Sequence, residues 1–541
     1  MAKAKKVMIG LSWVYANGRL HIGHLCSSLP ADIIARYHRL IGNDVSFVTG
    51  SDCYGTPILV GSRMEGLTPQ AFAEKYHDLL EQDFKKLNFS FDNYGKTMGE
   101  YHNEFAMQFH SEMYDGDFIF EQETMQLHCG KCDQYLPDRY VEGICPHCKK
   151  GAKGDSCDGC GKILEPEELI SPTCKLCGAT PAPKKTSQLY LKLSALQNKI
   201  TDFYKKNKKA WTANAQGLTA RYLNEGLVDR AITRNITWGV PVPKDGWDDK
   251  KIYIWAENVL GYLSMTRQYA EQTGQSWQDY LLDTSDSKKL HYYVHAKDNI
   301  PFHAIILPGL MLANPQLEYH KPDIICSSEY VTMDGKKMSK SVGNLITAQD
   351  LYDKYDVDMI RFYLSRIYSS TRDANFTFAD FVNTVNGELI NNFGNLVNRS
   401  LSFVQSKFGG RVRVFKESEL NAHLLQNIKT TYKEVGKLIC DGKVNKALQV
   451  ALDLINFGNQ YFNNTAPWKS YKTDLDLCQK NIFETVVLIA NVVKMLGPFI
   501  PATCAKVRTW LGLADDFKYV VPKKDFTLPE IEVLFQRVEL V

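Results

Sequence analysis

Short apolar runs and helix-length periodic segments alternate at the start of the chain. Residues 7–11 form an apolar run typical of a buried strand, and a helix-like pattern follows as far as Leu40. Residues 42–44 break this helix, and residues 45–48 predict a second strand. Pro30 falls inside the predicted helix, where it either kinks the helix or begins a second one. The order of strand, loop, helix and strand favours an α/β fold with a doubly wound parallel sheet.

The pattern changes twice further along the chain. Residues 129–185 are rich in Cys, Gly, Pro and Lys and lose all periodicity, which indicates a small insertion into the sheet domain. Strand signals return at residues 251–255, 290–295 and 322–326. From residue 381 onward strand signals vanish, and helical spacing continues to a stop at Gly497-Pro498. This last part predicts an α-helical bundle.

Composition and charge narrow the class of protein. The 541 residues are 44% hydrophobic and 23% charged, which is typical of an ordinary soluble protein with several domains. No apolar stretch approaches the length of a membrane span, and residues 7–11 are too short for a signal-peptide core. We therefore expect a cytoplasmic protein with no membrane partner. The net charge of +3 permits a nucleic-acid partner without requiring one.

Eight of the 14 cysteines form four CxxC pairs within the insertion. Such clustering in a long intracellular chain favours metal binding over disulfides. Eight thiolates can make two four-sulfur sites, which predicts two structural zinc ions, with iron–sulfur clusters as the minor alternative. The spacing alone leaves the pairing open. The pairs are Cys129 with Cys132, Cys145 with Cys148, Cys157 with Cys160, and Cys174 with Cys177.

The segment His21-Ile22-Gly23-His24 opens the first predicted helix. Two imidazoles three residues apart lie on one side of a helical turn. The helix N-terminus adds backbone N–H donors and the positive end of the dipole, which suits the phosphates of ATP. Gly23 lets a ligand approach the backbone closely. Considered alone, the pattern is also compatible with a metal-binding pair or a plain surface feature.

A second polar segment lies far along the chain, where residues 337–341 read Lys-Met-Ser-Lys-Ser. The residues just before this segment include Gly335, which predicts a mobile loop. The flexible ammonium groups of Lys337 and Lys340 can reach phosphates. A solvated charge run is the alternative for this segment alone. Together, the two segments resemble the HIGH and KMSKS signatures of class I aminoacyl-tRNA synthetases, in the order that this family requires.

This resemblance implies a reaction and roles for four side chains. The protein would activate an amino acid with ATP, accompanied by Mg²⁺, and then transfer the amino acid to tRNA. His21 and His24 would stabilise the transition state at the α-phosphate. Lys340, and secondarily Lys337, would hold the pyrophosphate leaving group.

Four further segments resemble the methionyl branch of this family. They are residues 15–18, 51–57, 297–303 and 464–468. The double zinc knuckle fits that branch as well. The resemblance therefore implies methionine and tRNA(Met) as substrates. It also implies a nested cysteine arrangement, with one zinc site built from the two middle CxxC pairs and one from the two outer pairs.

The resemblance also implies three sets of contacts, residue by residue. Asp52 would bind the ammonium group of methionine, and Asp298, with Gly23 and Lys340, would bind ATP. The residues around the methionine side chain would be Trp13, Tyr15, Trp255, Tyr262 and His303, where a thioether can meet aromatic rings. The residues that read the CAU anticodon would be Asn395, Arg399 and Trp468, the last by stacking on a base.

Three segments depart from the family pattern. Residues 12–14 read Ser-Trp-Val in place of Ala-Leu-Pro, and Asn258-Val259 stands in place of Ala-Pro. Ala296 stands in place of the glycine in GKD. Two of these changes line the implied amino-acid pocket. We expect a divergent pocket that still accepts the flexible methionine chain but binds rigid bicyclic inhibitors poorly, as an inhibitor-resistant form would.

Two alternatives to this function remain. One is another class I synthetase, although the large aliphatic enzymes carry a long editing insertion, and zinc knuckles occupy most of that space here. The other is a catalytically inactive tRNA-binding paralogue, against which the intact His21, His24 and Lys340 argue. We expect a monomer, since we see no additional tRNA-binding domain.

The pattern and the resemblance together divide the chain into five predicted parts. A Rossmann-like catalytic domain comes in two halves, residues 1–118 and 236–325. The connective insertion with the zinc knuckles separates them as residues 119–235. Residues 326–380 form a connecting domain with the KMSKS loop, and residues 381–541 form the anticodon-binding helix bundle.

Overall fold

The computed structural model of the protein describes residues 5–136, 140–154, 157, 159–160, 162, 164–338 and 343–539. The KMSKS lysine Lys340 lies outside these residues. Among the described residues, no helix combines the length and apolar character needed to cross a membrane.

The N-terminal part alternates strands and helices. Its elements are β1 (Lys6–Leu11), β2 (Val14–Tyr15), α1 (Ile22–Leu40), β3 (Asp44–Asp52), α2 (Thr56–Glu65), α3 (Pro69–Lys86), β4 (Asn93–Lys96) and α4 (Glu100–Tyr114). Pro30 lies inside the unbroken α1, so the alternative that it begins a second helix is wrong. Burial of the apolar side chains on both sides of Pro30 outweighs the hydrogen bond that proline cannot donate.

The insertion is an antiparallel arm that carries the cysteines. Its elements are β5 (Ile119–Cys129), β6 (Gln134–Tyr135), β7 (Val141–Ile144), β8 (Gly151–Lys153), β9 (Ile170–Cys174), β10 (Ala182–Leu191), α5 (Leu193–Asn207), α6 (Ala213–Glu225), β11 (Arg230–Ala231) and β12 (Thr233–Arg234). Strands β5 and β10 pair from Ile119 opposite Leu191 to His128 opposite Ala182. The knuckles therefore sit at the far end of a long two-stranded ribbon.

The sheet domain resumes after the arm and leads into the connecting segment. Its elements are β13 (Lys251–Ile252), α7 (Ile254–Glu257), α8 (Gly261–Gln272), α9 (Trp277–Leu281), β14 (Lys289–Ala296), α10 (Leu307–Ala313), β15 (Ile324–Ser328), β16 (Val331–Met333), β17 (Lys336–Lys337), α11 (Ala348–Tyr352), α12 (Val357–Ile367) and β18 (Ala374–Phe376). The strand expected over residues 251–255 is wrong beyond Ile252, because α7 begins at Ile254. Short apolar runs do not distinguish a strand from a buried helix.

The central sheet is parallel throughout. The strands lie in the order β15, β14, β1, β3, β2, and β4 also pairs with β3. On one face, Val7 and Ile9 join the apolar cluster that contains α1, and on the other face Met8 joins a second cluster. The predicted Rossmann-like α/β architecture is confirmed. Ligands bind such sheets beyond the carboxyl ends of their strands.

The C-terminal part is helical. Its elements are α13 (Phe378–Thr384), α14 (Asn395–Phe408), β19 (Arg411–Val412), α15 (Ala422–Cys440), α16 (Val444–Thr465), α17 (Pro467–Thr473), α18 (Leu475–Leu496), α19 (Pro501–Trp510) and β20 (Phe526–Thr527). The predicted stop at Gly497 is confirmed. The expectation of no strands here is wrong for the β19–β20 pair, which is too short for a periodic signal. Apolar residues of α1 and α18 share one core, so the bundle packs directly on the sheet domain.

Candidate functional site

The two histidines of the HIGH segment form one compact unit at the N-terminus of α1. His21 is the N-cap, and its Nδ1 accepts hydrogen bonds from the backbone N–H groups of Gly23 at 3.1 Å and His24 at 3.4 Å. In return, the backbone N–H of His21 donates to Nδ1 of His24 at 3.4 Å. The two rings stack with centroids 3.6 Å apart. The imidazoles and the positive end of the helix dipole therefore lie together.

The structure brings the HIGH segment against the KMSKS region. The backbone N–H of Ile22 donates to the carbonyl of Ile346 at 3.1 Å, and that of Ala348 donates to the carbonyl of Leu20 at 2.7 Å. A Cβ atom added to Gly23 would lie 3.4 Å from Cε of Met338, and 3.0 Å from Cε1 of His21. The close approach explains glycine at this position. The exposed Lys337 lies in β17, next to Met338.

Asp52 lies at the carboxyl end of β3 and is 1% exposed. Its Oδ2 accepts a hydrogen bond from Nδ2 of Asn258 at 3.0 Å, and its Oδ1 accepts one from the backbone N–H of Tyr54 at 3.3 Å. Burial raises the pKa of Asp52 well above its ordinary value, and the nearby Glu257 raises it further, while the bond from Asn258 lowers it. A cation placed here would favour the ionised carboxylate.

Aromatic side chains near this carboxylate form two groups. Tyr15 pairs with Asp52 in the strand register, and its ring meets the edge of Trp255 at 6.5 Å. The ring of Trp13 lies 6.3 Å from that of Tyr262, whose hydroxyl is 2.8 Å from Nε2 of His303. The structure thus brings together the six residues that the resemblance implied for the methionine pocket.

The tautomer of His303 follows from its two partners. Nδ1 lies 2.9 Å from the carbonyl oxygen of Asn299, which can only accept, so Nδ1 carries the proton. Nε2 then accepts from the hydroxyl of Tyr262. Burial lowers the pKa of His303 to about 4, so the ring is neutral near pH 7. An uncharged ring at this position suits an apolar ligand.

Trp13 occupies a slot made by two glycines. A Cβ atom at Gly50 would lie 2.2 Å from the indole, and one at Gly261 would also lie 2.2 Å from it. The indole can therefore enter only because both positions lack side chains.

A buried polar group beside the pocket escaped the sequence analysis. Nε2 of His102 lies 2.9 Å from Oε2 of Glu257, and Nδ1 of His102 lies 2.8 Å from Oγ of Ser264. Glu257 and Asn258 are 1% and 5% exposed. The signal was present in the sequence, because two consecutive polar residues interrupt an otherwise apolar helix-forming run.

Asp298 lies in the helical turn that directly follows β14. Since β14 pairs in parallel with β1, this exposed carboxylate shares the sheet edge from which the HIGH segment departs. The neighbouring Lys297 is held by Glu329 at 2.6 Å and Asp373 at 2.7 Å. These ion pairs fix the turn that presents Asp298.

The eight arm cysteines form two nested clusters, which confirms the expected pairing. Within each cluster the four sulfur atoms lie within 4.8 Å of one another. Neighbouring sulfurs, such as those of Cys129 and Cys177, are 3.5 Å apart, close to the separation of about 3.8 Å that tetrahedral Zn–S bonds of about 2.3 Å give. The outer cluster is Cys129, Cys132, Cys174 and Cys177, and the inner one is Cys145, Cys148, Cys157 and Cys160.

In the bundle, Asn395 and Arg399 line one open cavity of about 470 Å³. Nη1 of Arg399 donates to Oδ1 of Asn463 at 2.8 Å, and its guanidinium lies 4.5 Å from the ring centroid of Phe462. Trp468 is 44% exposed and its ring lies 5.9 Å from that of Phe462. The three predicted anticodon residues therefore share one face of the bundle. The sequence analysis missed the cavity's asparagines on α16, which are Asn456, Asn459 and Asn463.

Comparison with known proteins assigns the family. Residues 7–401 match the family model of tRNA synthetases class I (M), and residues 414–532 match that of the anticodon binding domain of methionyl tRNA ligase. The chain belongs to the methionine–tRNA ligase family. Methionine–tRNA ligase 1 of Alkaliphilus oremlandii is 39% identical over 535 residues, which cover 98% of this chain and 97% of that protein.

Other family members match over the same length. Methionine–tRNA ligase of Bacillus mycoides is 39% identical over 540 residues, covering 99% of this chain and 97% of its own. The fold matches a crystal structure of Mycobacterium tuberculosis methionyl-tRNA synthetase bound by methionyl-adenylate, with a TM-score of 0.80 and 22% identity. That match covers 98% of this chain and 100% of the other.

Proposed function

We propose that this member of the methionine–tRNA ligase family activates methionine with ATP and loads it onto tRNA(Met). Methionine and ATP give methionyl-adenylate and pyrophosphate, and the methionyl group then passes to the 3′ end of the tRNA. One observation carries the proposal. The stacked His21–His24 pair, the segment that follows KMSKS and a buried carboxylate in an aromatic pocket all lie at the carboxyl edge of one parallel sheet.

The reaction at the phosphate groups of ATP takes place at the N-terminus of α1. The methionine carboxylate attacks the α-phosphate, and negative charge develops where the two imidazoles and the helix N–H groups converge. Gly23 leaves room for that phosphate, and Asp298 holds the ribose. Lys340 and Lys337 would hold the departing pyrophosphate, and Mg²⁺ that accompanies ATP would neutralise part of its charge.

Asp52 and the aromatic residues around it bind methionine. The α-ammonium group pairs with the buried Asp52 carboxylate, which fixes the amino-acid end. The thioether lies among Tyr15, Trp255, Tyr262 and the neutral ring of His303, where sulfur–aromatic contacts are favourable. Trp13 fills the slot between Gly50 and Gly261, and we expect its bulk to exclude a rigid bicyclic inhibitor that fits the usual family pocket.

The two cysteine clusters would each hold a zinc ion, which would tie the end of the arm together. Because four thiolates leave no open coordination position, these ions would supply no chemistry to the reaction. The anticodon is read by Asn395 and Arg399 in the bundle cavity, with Trp468 stacking on an exposed base. A cytoplasmic, monomeric enzyme stays a prediction, which fractionation and light scattering of the purified protein would test.

The deciding experiment is ATP–pyrophosphate exchange with each amino acid in turn, followed by charging of purified tRNAs. Exchange that depends on methionine, together with charging of tRNA(Met), is the expected result. Exchange with leucine, isoleucine, valine or cysteine instead would reassign the substrate. No exchange with any amino acid would make the chain an inactive tRNA-binding paralogue.

A further inference from the structure

The side chain of Asn258 lies next to the carboxylate of Asp52, and only the NH₂ half of the Asn258 amide makes a hydrogen bond to the described residues. Asn258 is 5% exposed and lies in the short helical turn at residues 258–260, between α7 and α8. Its Nδ2 donates to Oδ2 of Asp52 at 3.0 Å. Its Oδ1 is buried, and it has no hydrogen-bond partner in the part of the chain that the structure describes.

The orientation of this amide follows from chemistry. A carboxylate accepts hydrogen bonds, so the NH₂ half of the amide must face Asp52 and the carbonyl half must face away. Since Nδ2 and Oδ1 are bonded to the same carbon, Oδ1 stays in the neighbourhood of the carboxylate. A buried acceptor without a partner is costly, and such atoms mark places where a ligand completes the site.

The ammonium group that Asp52 is proposed to bind can supply the donor that Oδ1 of Asn258 lacks. Oε2 of Glu257 is occupied by His102 at 2.9 Å, and burial raises the pKa of Glu257 well above its ordinary value. An α-ammonium group has three N–H donors. A single buried carboxylate cannot accept hydrogen bonds from all three at once, so one donor is available to Oδ1.

We propose that Asn258 is a positioning and specificity residue for the amino-acid substrate. Its Nδ2 orients the Asp52 carboxylate, and its Oδ1 accepts a second hydrogen bond from the substrate's α-ammonium group. This inference rests on the proposed role of Asp52 in binding that group. The alanine of the family motif at this position has no polar atom and could not make this contact.

The test compares ligands that carry the ammonium group with one that lacks it. Asn258→Leu keeps the side-chain size and removes both polar atoms, and Asn258→Ala serves as a second variant should the first fold poorly. The ligands are methionine, methioninol, which keeps the ammonium group, and 4-(methylthio)butanoate, which lacks it. Inhibition constants come from ATP–pyrophosphate exchange, together with KM and kcat for methionine.

We expect Asn258→Leu to raise KM for methionine and the inhibition constant of methioninol about tenfold or more, since a hydrogen bond to a charged group is lost. We expect kcat to change less, because the contact serves substrate and transition state alike. We expect 4-(methylthio)butanoate to inhibit wild type and variant equally. Asn314→Leu is the matched control, because Asn314 is also a buried asparagine that donates to a carboxylate, Glu112, at 3.0 Å.

Two outcomes would overturn the inference. Equal losses for all three ligands would show that Asn258 only shapes the pocket, and no loss for methionine would show that Oδ1 makes no contact with it. Failure of the proposed function is distinguishable from both. In that case the wild type shows no methionine-dependent exchange, or Asp52→Asn leaves methionine binding unchanged.

Discussion

Nη2 of Arg361 lies 2.6 Å from Oδ2 of Asp32, and both side chains are at most 1% exposed. Asp32 belongs to α1, the helix that begins at the HIGH segment, and Arg361 belongs to α12. Arg361 also donates to the carbonyls of Phe499 and Pro498 at 3.0 and 3.1 Å, just after α18. One guanidinium thus joins the sheet domain, the connecting segment and the helix bundle.

Removing this guanidinium should destabilise the protein strongly. Arg361→Met leaves the Asp32 carboxylate buried with fewer partners, and we expect a loss of about 3–5 kcal/mol in the free energy of unfolding. Urea denaturation followed by circular dichroism measures it. Arg36→Met is the matched control, since Arg36 pairs with the same carboxylate from a more exposed position. Equal losses in the two variants would contradict the central role of Arg361.

The same pair predicts a pH dependence. Burial by itself would raise the pKa of Asp32, but Arg361 and Arg36 outweigh it and lower the pKa to about 2. An unfolded aspartate titrates at roughly 4. The pair therefore stabilises the folded state fully above that pH, and the stabilisation is lost as the pH falls from roughly 4 towards 2. The difference in stability between wild type and Arg361→Met should shrink over this range, and a constant difference would refute the assignment.

Catalysis should depend on Lys340, the second lysine of the KMSKS segment. We expect Lys340→Ala to slow adenylate formation by about a hundredfold or more while methionine binding survives, because its proposed partner is the leaving group. Single-turnover measurements with ATP and methionine give the rate, and Lys336→Ala is a control lysine just before the signature. A wild-type rate of adenylate formation in Lys340→Ala would contradict the role proposed for Lys340.

The divergent pocket should decide inhibitor affinity. Trp13→Leu combined with Val259→Pro restores the family residues and opens the slot beside Gly261. We expect rigid bicyclic inhibitors to bind this double variant at least about tenfold more tightly than the wild type, since overpacking typically costs about 1–3 kcal/mol. Methionine, with three rotatable bonds, should change less. Equal inhibitor affinity in both proteins would rule out the proposed effect of the indole.

Zinc should be structural. We expect Cys145→Ser to lose about one equivalent of metal and to loosen the end of the arm. Methionine-dependent exchange should persist, because the clusters sit beyond a ribbon ten residue pairs long. Elemental analysis and limited proteolysis are the measurements, with Cys478→Ser as a control at a buried cysteine outside the clusters. Iron in place of zinc, or no metal at all, would refute this expectation.

Anticodon recognition should be separable from activation. We expect Trp468→Ala to weaken charging of tRNA(Met) and leave adenylate formation intact, since stacking on one base is worth roughly 1–3 kcal/mol. The exposed Leu475 offers a control variant, Leu475→Ala, on the next helix. Parallel losses in both reactions would mean that Trp468 serves the stability of the bundle instead.

The strand, helix and motif signals predicted the parallel sheet, the cysteine arm and the helix bundle. The sheet was recognisable because burial on both faces of β1 gives a continuous apolar run from Val7 to Leu11. The nested cysteine pairing and the pocket residues came from resemblance to a family. Periodicity alone does not determine whether a short segment, such as the one that contains α7, is a strand or a helix. A run of five residues fits both equally well.

The parts that the sequence analysis missed depend on contacts between distant residues. The link between Asp52 and Asn258 crosses from β3 to the turn before α8, and local pattern carries no record of such a partner. The asparagines of the bundle cavity were overlooked for a similar reason. Asn459 and Asn463 are polar positions on an amphipathic helix, and only the packing of α14 against α16 shows that they face a cavity.

Gly261 and Trp13 depend on each other through the space that they share. Glycine also stands at this position in the family motif, where leucine commonly takes the place of Trp13. In this chain the indole occupies the space that a side chain at residue 261 would need, and a methyl group there would fall 2.2 Å from it. The two positions are therefore coupled, and an exchange of Gly261 requires a smaller residue at position 13 first.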